Sequence, residues 1–286
     1  MVAGALANAG YWTGFTGWLG GRRFNPNGYF EDPELIHLNE RLLLPVMSSP
    51  LDTLGGGHPA TRKAPNRRLW LGVLSRDVAI PAQPELHGAM ERFLKTTPFC
   101  LKDPQFSYTL AAWQPLLTST RYVCVFRNPM LTAASMVHMC QTIEHYKPMG
   151  FSIQNALAVW ESMYRHILDR HSHNGCWHFI HYDQLFQEQA VQELEDHIEG
   201  DIDRTFADPK LRKSPPEQGL PVEIAEIYSD LCNRAHYVPC SVNSDRWRSN
   251  NSVSRSPIHA RRQEPLMRQT ETEAIPTDEK HNVHRG

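Results

Sequence analysis

The sequence predicts a three-layer α/β domain, a parallel sheet flanked by helices on both faces. Three short runs rich in aromatic or β-branched residues each end at a polar or proline break, as buried strands do. Between them, apolar residues recur at spacings of three and four, the period of helices. Strands alternating with helices are the pattern of parallel βαβ units. The 286-residue chain is 41% hydrophobic and 21% charged. A chain of that length can bury roughly three quarters of its unfolded surface, so one large domain or two small ones fit.

In chain order, residues 2 to 10 read as a helix. The segment is rich in small residues like a signal peptide, but the first basic residue is Arg22, so no positive region precedes the apolar run. Leu35, Leu38 and Leu42 mark a helix after Pro33. The three strands are Pro98–Leu101, Arg121–Phe126 and Trp177–Tyr182. Ile153, Leu157, Trp160, Tyr164 and Ile167 share one helix face, with Trp160 and Tyr164 as core residues. Ile224, Ile227 and Leu231 do the same in a last helix. The final segment, 241 to 286, holds only ten hydrophobic residues and no periodicity. It cannot offset its ordering entropy by burial and is expected to be a disordered tail. The folded domain then covers residues 1 to 240.

Charge narrows the function. Lys plus Arg is 29 and Asp plus Glu is 31, for a net charge of -2. A dedicated binder of nucleic-acid polymer needs a basic field, which this balance does not supply. A small basic pocket for one nucleotide stays open. No stretch approaches the ~18 apolar residues of a membrane span. The six cysteines, at 100, 124, 140, 176, 232 and 240, include no C-x-x-C pair, so zinc and disulfide frameworks are not expected. Free thiols in a reducing, cytoplasmic setting are the simpler reading.

Ligands of parallel sheets bind outside the carboxyl ends of the strands. Three strand ends therefore matter: Lys102-Asp103-Pro104, Arg127-Asn128-Pro129 and Tyr182-Asp183. Asn128 is a good helix N-cap and Pro129 suits the first helical position. Free amides and the positive dipole end would attract an anion there, and Arg127 adds a planar fork for phosphate. Ser135, eight residues beyond Arg127, would donate one more hydrogen bond. The alternative is a strand–helix corner with a solvated arginine and a packing serine. Lys102 can neutralise charge on a transferring group and Asp103 can accept a proton. The alternative is a salt-bridged surface turn.

Five stretches in order resemble the sulfotransferase family that uses 3′-phosphoadenosine 5′-phosphosulfate, PAPS. They are Asn25-Pro-Asn-Gly-Tyr-Phe-Glu-Asp32, Leu101-Lys-Asp-Pro-Gln-Phe-Ser107, Tyr122-Val-Cys-Val-Phe-Arg-Asn-Pro129 through Ser135, Asn155-Ala-Leu-Ala-Val-Trp160 and Ile180-His-Tyr-Asp-Gln-Leu185. The resemblance covers roughly residues 1 to 236. It implies a P-loop-type nucleotide-binding fold and transfer of a sulfonate from PAPS to a hydroxyl or amine on a small-molecule or glycan acceptor, without a metal. It implies that Arg127 and Ser135 hold the donor's 3′-phosphate, that Tyr182 approaches the adenine, and that Lys102 stabilises the transferring sulfonate.

Two departures qualify it. The family's glycine-rich 5′-phosphosulfate turn is absent, because residues 2 to 10 match the helix that follows that turn, and the first strand is missing with it. The glycines at 17, 20, 21 and 55 to 57 do not replace it, since they lack the lysine and hydroxyl of a phosphate loop. Pro104 stands where the cytosolic enzymes carry a histidine base, leaving Asp103, Glu31 and Asp32 as rivals for that role. A non-catalytic binding module that keeps the 3′-phosphate half of the site, or a sequence beginning downstream of the turn, is the alternative reading.

Remaining clusters have plainer readings. His166, His171, His173, His178 and His181 crowd one region, but their spacing fits no standard metal set. Arg62, Lys63, Arg67, Arg68 and Arg76 form a basic stretch that could meet an anionic acceptor or simply face solvent. Lys210, Arg212 and Lys213 match a donor-binding loop of the family only weakly.

Overall fold

The computed structural model describes residues 1–14, 27–47, 69–211 and 219–239. The expected tail, both glycine runs, most of the basic stretch, and Arg212 with Lys213 lie outside the described residues.

The first helix, α1, is Val2–Asn8, slightly shorter than expected. Helix α2, Pro33–Leu43, starts where Asp32 accepts the Glu34 amide at 2.7 Å and the Leu35 amide at 3.1 Å. Asp32 is therefore a helix cap, with its carboxylate committed to orphan amides. Helix α3 is His87–Arg92 and α4 is Phe106–Trp113. Strand β1, Arg121–Phe126, leads into α5, Pro129–Thr142. Helix α6, Ile153–His166, begins with a reciprocal Ser152–Asn155 capping box and runs on into a π-helical turn. Strand β2 is Cys176–His181, displaced by one residue from the expected run. Helices α7, Glu188–Ile198, and α8, Val222–Arg234, complete the order.

β1 and β2 pair in parallel, with Arg121 opposite Cys176 and Phe126 opposite His181. Side chains alternate across the pleat. Val123 and Ile180 face one side, where α1 and α7 cover them with Val2, Leu6 and Leu194. Cys124, Phe126 and Phe179 face the other side, where α5, α6 and α8 cover them with Ala133, Trp160 and Leu231. A neighbouring cluster packs Leu35, Leu38 and Leu42 of α2 onto Trp113 and Tyr122. The two-stranded parallel sheet is thus flanked by helices on both faces, as expected.

The expected strand Pro98–Leu101 is reduced to a single parallel bridge between Trp12 and Phe99. The Trp12 amide donates to the Pro98 carbonyl and the Cys100 amide to the Trp12 carbonyl, both at 2.9 Å. Gly10 at φ 94° and Gly14 at φ 80° bound the segment that carries Trp12. Glycine in that region turns the chain out of an extended path, so too few residues remain to extend the ladder. Trp160 is 1% exposed in the core and meets the partly buried Tyr164 ring at 4.6 Å in a tilted pair.

Candidate functional site

The carboxyl ends of β1 and β2 bring two of the expected residues together. Arg127 follows β1, and its guanidinium carbon lies 4.5 Å over the ring of Tyr182, which follows β2. A cation over an aromatic face is held by the ring quadrupole. The Tyr182 ring is braced edge-to-face by Phe186 at 5.6 Å. The preceding residue, His181, is 2% exposed. The Asp183 amide donates to His181 Nδ1 at 3.1 Å, which leaves the proton on Nε2, 3.2 Å from the Tyr228 hydroxyl. Tyr237 stacks on His181 at 3.9 Å and its hydroxyl donates to Asp183 at 3.1 Å. Tyr228 and Tyr237 thus hold His181 and Asp183, the residues on either side of Tyr182 in the chain.

The start of α5 differs from expectation. Asn128 Oδ1 accepts the amides of Met130 at 3.0 Å and Leu131 at 3.3 Å, and the Thr132 amide reaches the Asn128 carbonyl at 3.1 Å. Pro129 has no amide proton. The cap that makes the helix start also consumes the donors an anion would need. At this corner Arg127 keeps unspent donors, since its Nε and Nη2 are buried with no hydrogen-bond partner among the described residues. Ser135 lies exposed two turns into α5, with no hydrogen bond to Arg127 among the described residues.

The second expected group sits after the Phe99 bridge. Lys102 forms an ion pair with Glu31, joining the segment before α2 to the strand end. The lysine side chain is 40% exposed and the glutamate 17%, so the pair faces an accessible region. Asp103 points the other way. It is 6% exposed and accepts from Asn39 at 2.9 Å, from the Gln105 amide at 3.0 Å and from Gln105 Nε2 at 3.3 Å. Asn39 Oδ1 in turn accepts from Thr109 at 2.8 Å and Trp113 at 2.9 Å. Burial raises the Asp103 carboxyl to about 6, against the opposing pull of the Asn39 and Gln105 hydrogen bonds. Asp103 anchors α4 to α2 in a buried network, and Glu31 is the carboxylate on the accessible side.

The histidines separate into different surroundings. His166 and His171 are buried against the Ser162 and Ser107 carbonyls, His178 stacks on His197, and His181 meets Tyr228 and Tyr237. Among the described residues, no group of three or more His, Cys, Asp or Glu side chains is placed to hold a metal. Arg76 pairs with Asp169 at 2.8 Å, and Lys210 lies exposed in a short turn. The five described cysteines are free thiols. No helix among the described residues is long and apolar enough to cross a membrane. Sequence spacing did not indicate Asn39 or Gln105 as partners of Asp103, or Tyr228 and Tyr237 as partners of His181 and Asp183.

No family model, curated protein or solved structure matches this chain.

Proposed function

We propose that this chain is a sulfotransferase-like protein that binds a 3′-phosphorylated adenine nucleotide and transfers the sulfonate of PAPS to a hydroxyl or amine acceptor. The observation that carries the reading is Arg127. A guanidinium with two buried, unpartnered N–H groups, held over a tyrosine at a strand end, has hydrogen-bonding capacity left for a phosphate beside an aromatic base. In the same reading, the helix-flanked parallel sheet belongs to a P-loop-type fold, and Ser135 adds a hydroxyl to the phosphate.

The Lys102–Glu31 pair supplies the acceptor side. The acceptor oxygen or nitrogen attacks sulfur, and the sulfur–oxygen bond to the 5′-phosphate breaks as the new bond forms. The acceptor's proton passes to the Glu31 carboxylate. Lys102 meets the negative charge that grows on the departing phosphate oxygens, a charge present most fully in the transition state. Asp103, next in the chain, is anchored to Asn39 and Gln105 in the buried network.

Transfer of labelled sulfonate from PAPS to hydroxyl and amine acceptors tests this. Lys102→Ala is expected to lower turnover far more than donor affinity. Glu31→Gln is expected to cost roughly 10²–10⁴ in rate with donor binding kept, the scale of general-base loss. Nucleotide binding without transfer to any acceptor class would leave the non-catalytic binding module as the function. Absence of both would overturn the proposal.

A further inference from the structure

A second cluster lies at the opposite, amino end of the sheet. Arg121 opens β1 and Cys176 opens β2, and the two are register partners. They line an open cleft of about 720 Å³ together with Tyr122, Glu199, Ser119 and Asn174. Cys176 is the exposed thiol among the described cysteines. Its sulfur lies 3.9 Å from His197 Nδ1 and 3.6 Å from Arg121 Nη1. His197 Nε2 lies 3.2 Å from the Tyr122 carbonyl, which has no proton to give, so Nε2 carries the proton and donates it. The Nδ1 lone pair then faces the thiol. Nucleophile, base and an orienting group for the base are the three parts of an activated cysteine.

The charges agree with that arrangement. Burial, with a smaller contribution from the Arg121 cation, keeps His197 below its ordinary value, so the ring is neutral and able to accept a proton. Arg121 holds Glu199 through Nη2 while Nη1 stays on the sulfur. His178 stacks on the far face of His197 at 5.2 Å and is itself kept below its ordinary value by burial, with Glu193 opposing. Among the described residues, Arg121, Glu199, His197 and Tyr122, with His178 beyond His197, are the titratable and charged groups around this thiol. The other described thiols are poor candidates. Cys124, Cys140 and Cys232 are buried, and burial pushes Cys100 up to about 11.

We propose that Cys176 is a nucleophilic thiol that undergoes thiol–disulfide exchange with a low-molecular-weight disulfide entering this cleft. Cys176 gives its proton to His197 Nδ1, and the thiolate attacks one sulfur of R–S–S–R. A new Cys176–S–S–R bond forms as the old S–S bond breaks, and the leaving thiolate takes the proton from His197. Cys176 is oxidised and one RS unit is reduced to RSH, so electrons and protons balance. The cleft wall is polar, with Ser119, Asn174 and the Arg121–Glu199 pair, and suits a polar disulfide such as that of a short cysteine-containing peptide.

The test uses the full chain with Cys240→Ser and excess glutathione disulfide, followed by intact mass and peptide mapping across pH. One glutathionyl group is expected on Cys176, formed at pH 7 about tenfold faster than on the same thiol in urea-unfolded chain. His197→Gln is expected to remove that advantage. Arg127→Ala is expected to leave the exchange unchanged, which separates it from nucleotide binding. Modification of other cysteines in place of Cys176, or a native Cys176 no faster than the unfolded one, would overturn the proposal.

Discussion

Replacing Arg127 by methionine should make the protein more stable while damaging the proposed nucleotide site. In the folded chain Nε and Nη2 are buried without partners. Each such orphaned donor costs about 1–3 kcal/mol of desolvation. Against this stands the contact with the Tyr182 ring, worth about 0.5–2 kcal/mol. Methionine keeps an unbranched stem over the ring and removes every unsatisfied donor. Two such donors cost about 2–6 kcal/mol, so at mid-range the balance favours Arg127→Met by on the order of 2–3 kcal/mol, which raises the melting temperature by about 2–4 °C per kcal/mol for a domain of this size. Urea denaturation at pH 7, followed by tryptophan fluorescence, measures it, with the m value checked for constancy. A variant less stable than the parent, at equal m, would show that Arg127 holds the strand corner together and would refute the reasoning. Stability given up at a binding residue is the expected signature of a site shaped for its ligand.

Asp103 supplies a pH prediction. Above about pH 6 its carboxyl is ionised in folded and unfolded chains alike, and burial of that charge costs on the order of 3 kcal/mol, two units at 1.36 each. Below about pH 4 it is protonated in both states, so the stability it withholds returns as the pH falls through that window. Asp103→Asn should therefore lose its advantage over the parent, or become relatively worse, between pH 7 and pH 4 by about that amount; parallel stability curves from urea titrations across the range would contradict it. Gly175, at φ +87° just before β2, would place a Cβ 2.4 Å from the Tyr122 ring. Gly175→Ala should cost about 2–4 kcal/mol from left-handed strain plus overpacking, and a melting temperature within a degree of the parent would refute the packing account.

Local chemistry made much of this fold legible. Arg121–Phe126 reads as a strand because aromatic and β-branched side chains suit a pleated, half-buried surface. Asn128 and Pro129 announce α5, since a capping carboxamide followed by proline is a helix start. Pro98–Leu101 has similar local character, yet its length as a strand depends on Trp12, almost ninety residues earlier in the chain, and on the glycines flanking it. Parallel pairing is non-local, so no window around residue 98 contains that information. The same applies to Asp103, whose burial depends on Asn39, 64 residues away. Asn128 shows a different limit. Its pattern correctly indicated a helix start, but a satisfied cap and a free anion site share one sequence signal, and only coordinates tell them apart. The Cys176–His197 contact joins the opening of β2 to the last turn of α7, and neither residue carries a local motif.

The account turns on whether Arg127 recognises a 3′-phosphate. Calorimetric titration of the parent chain and Arg127→Ala with adenosine 3′,5′-bisphosphate, and in parallel with adenosine 5′-monophosphate, addresses it most directly. The substitution is expected to weaken the bisphosphate by about 1.5–3 kcal/mol, the range for hydrogen bonds to charged groups, or roughly ten- to 150-fold in Kd. Ser135→Ala is expected to cost less, because it removes one neutral hydroxyl, and the monophosphate is expected to respond to neither change. Equal losses for the two nucleotides, or no binding of the bisphosphate by the parent chain, would contradict the assignment of this strand end as a 3′-phosphate site.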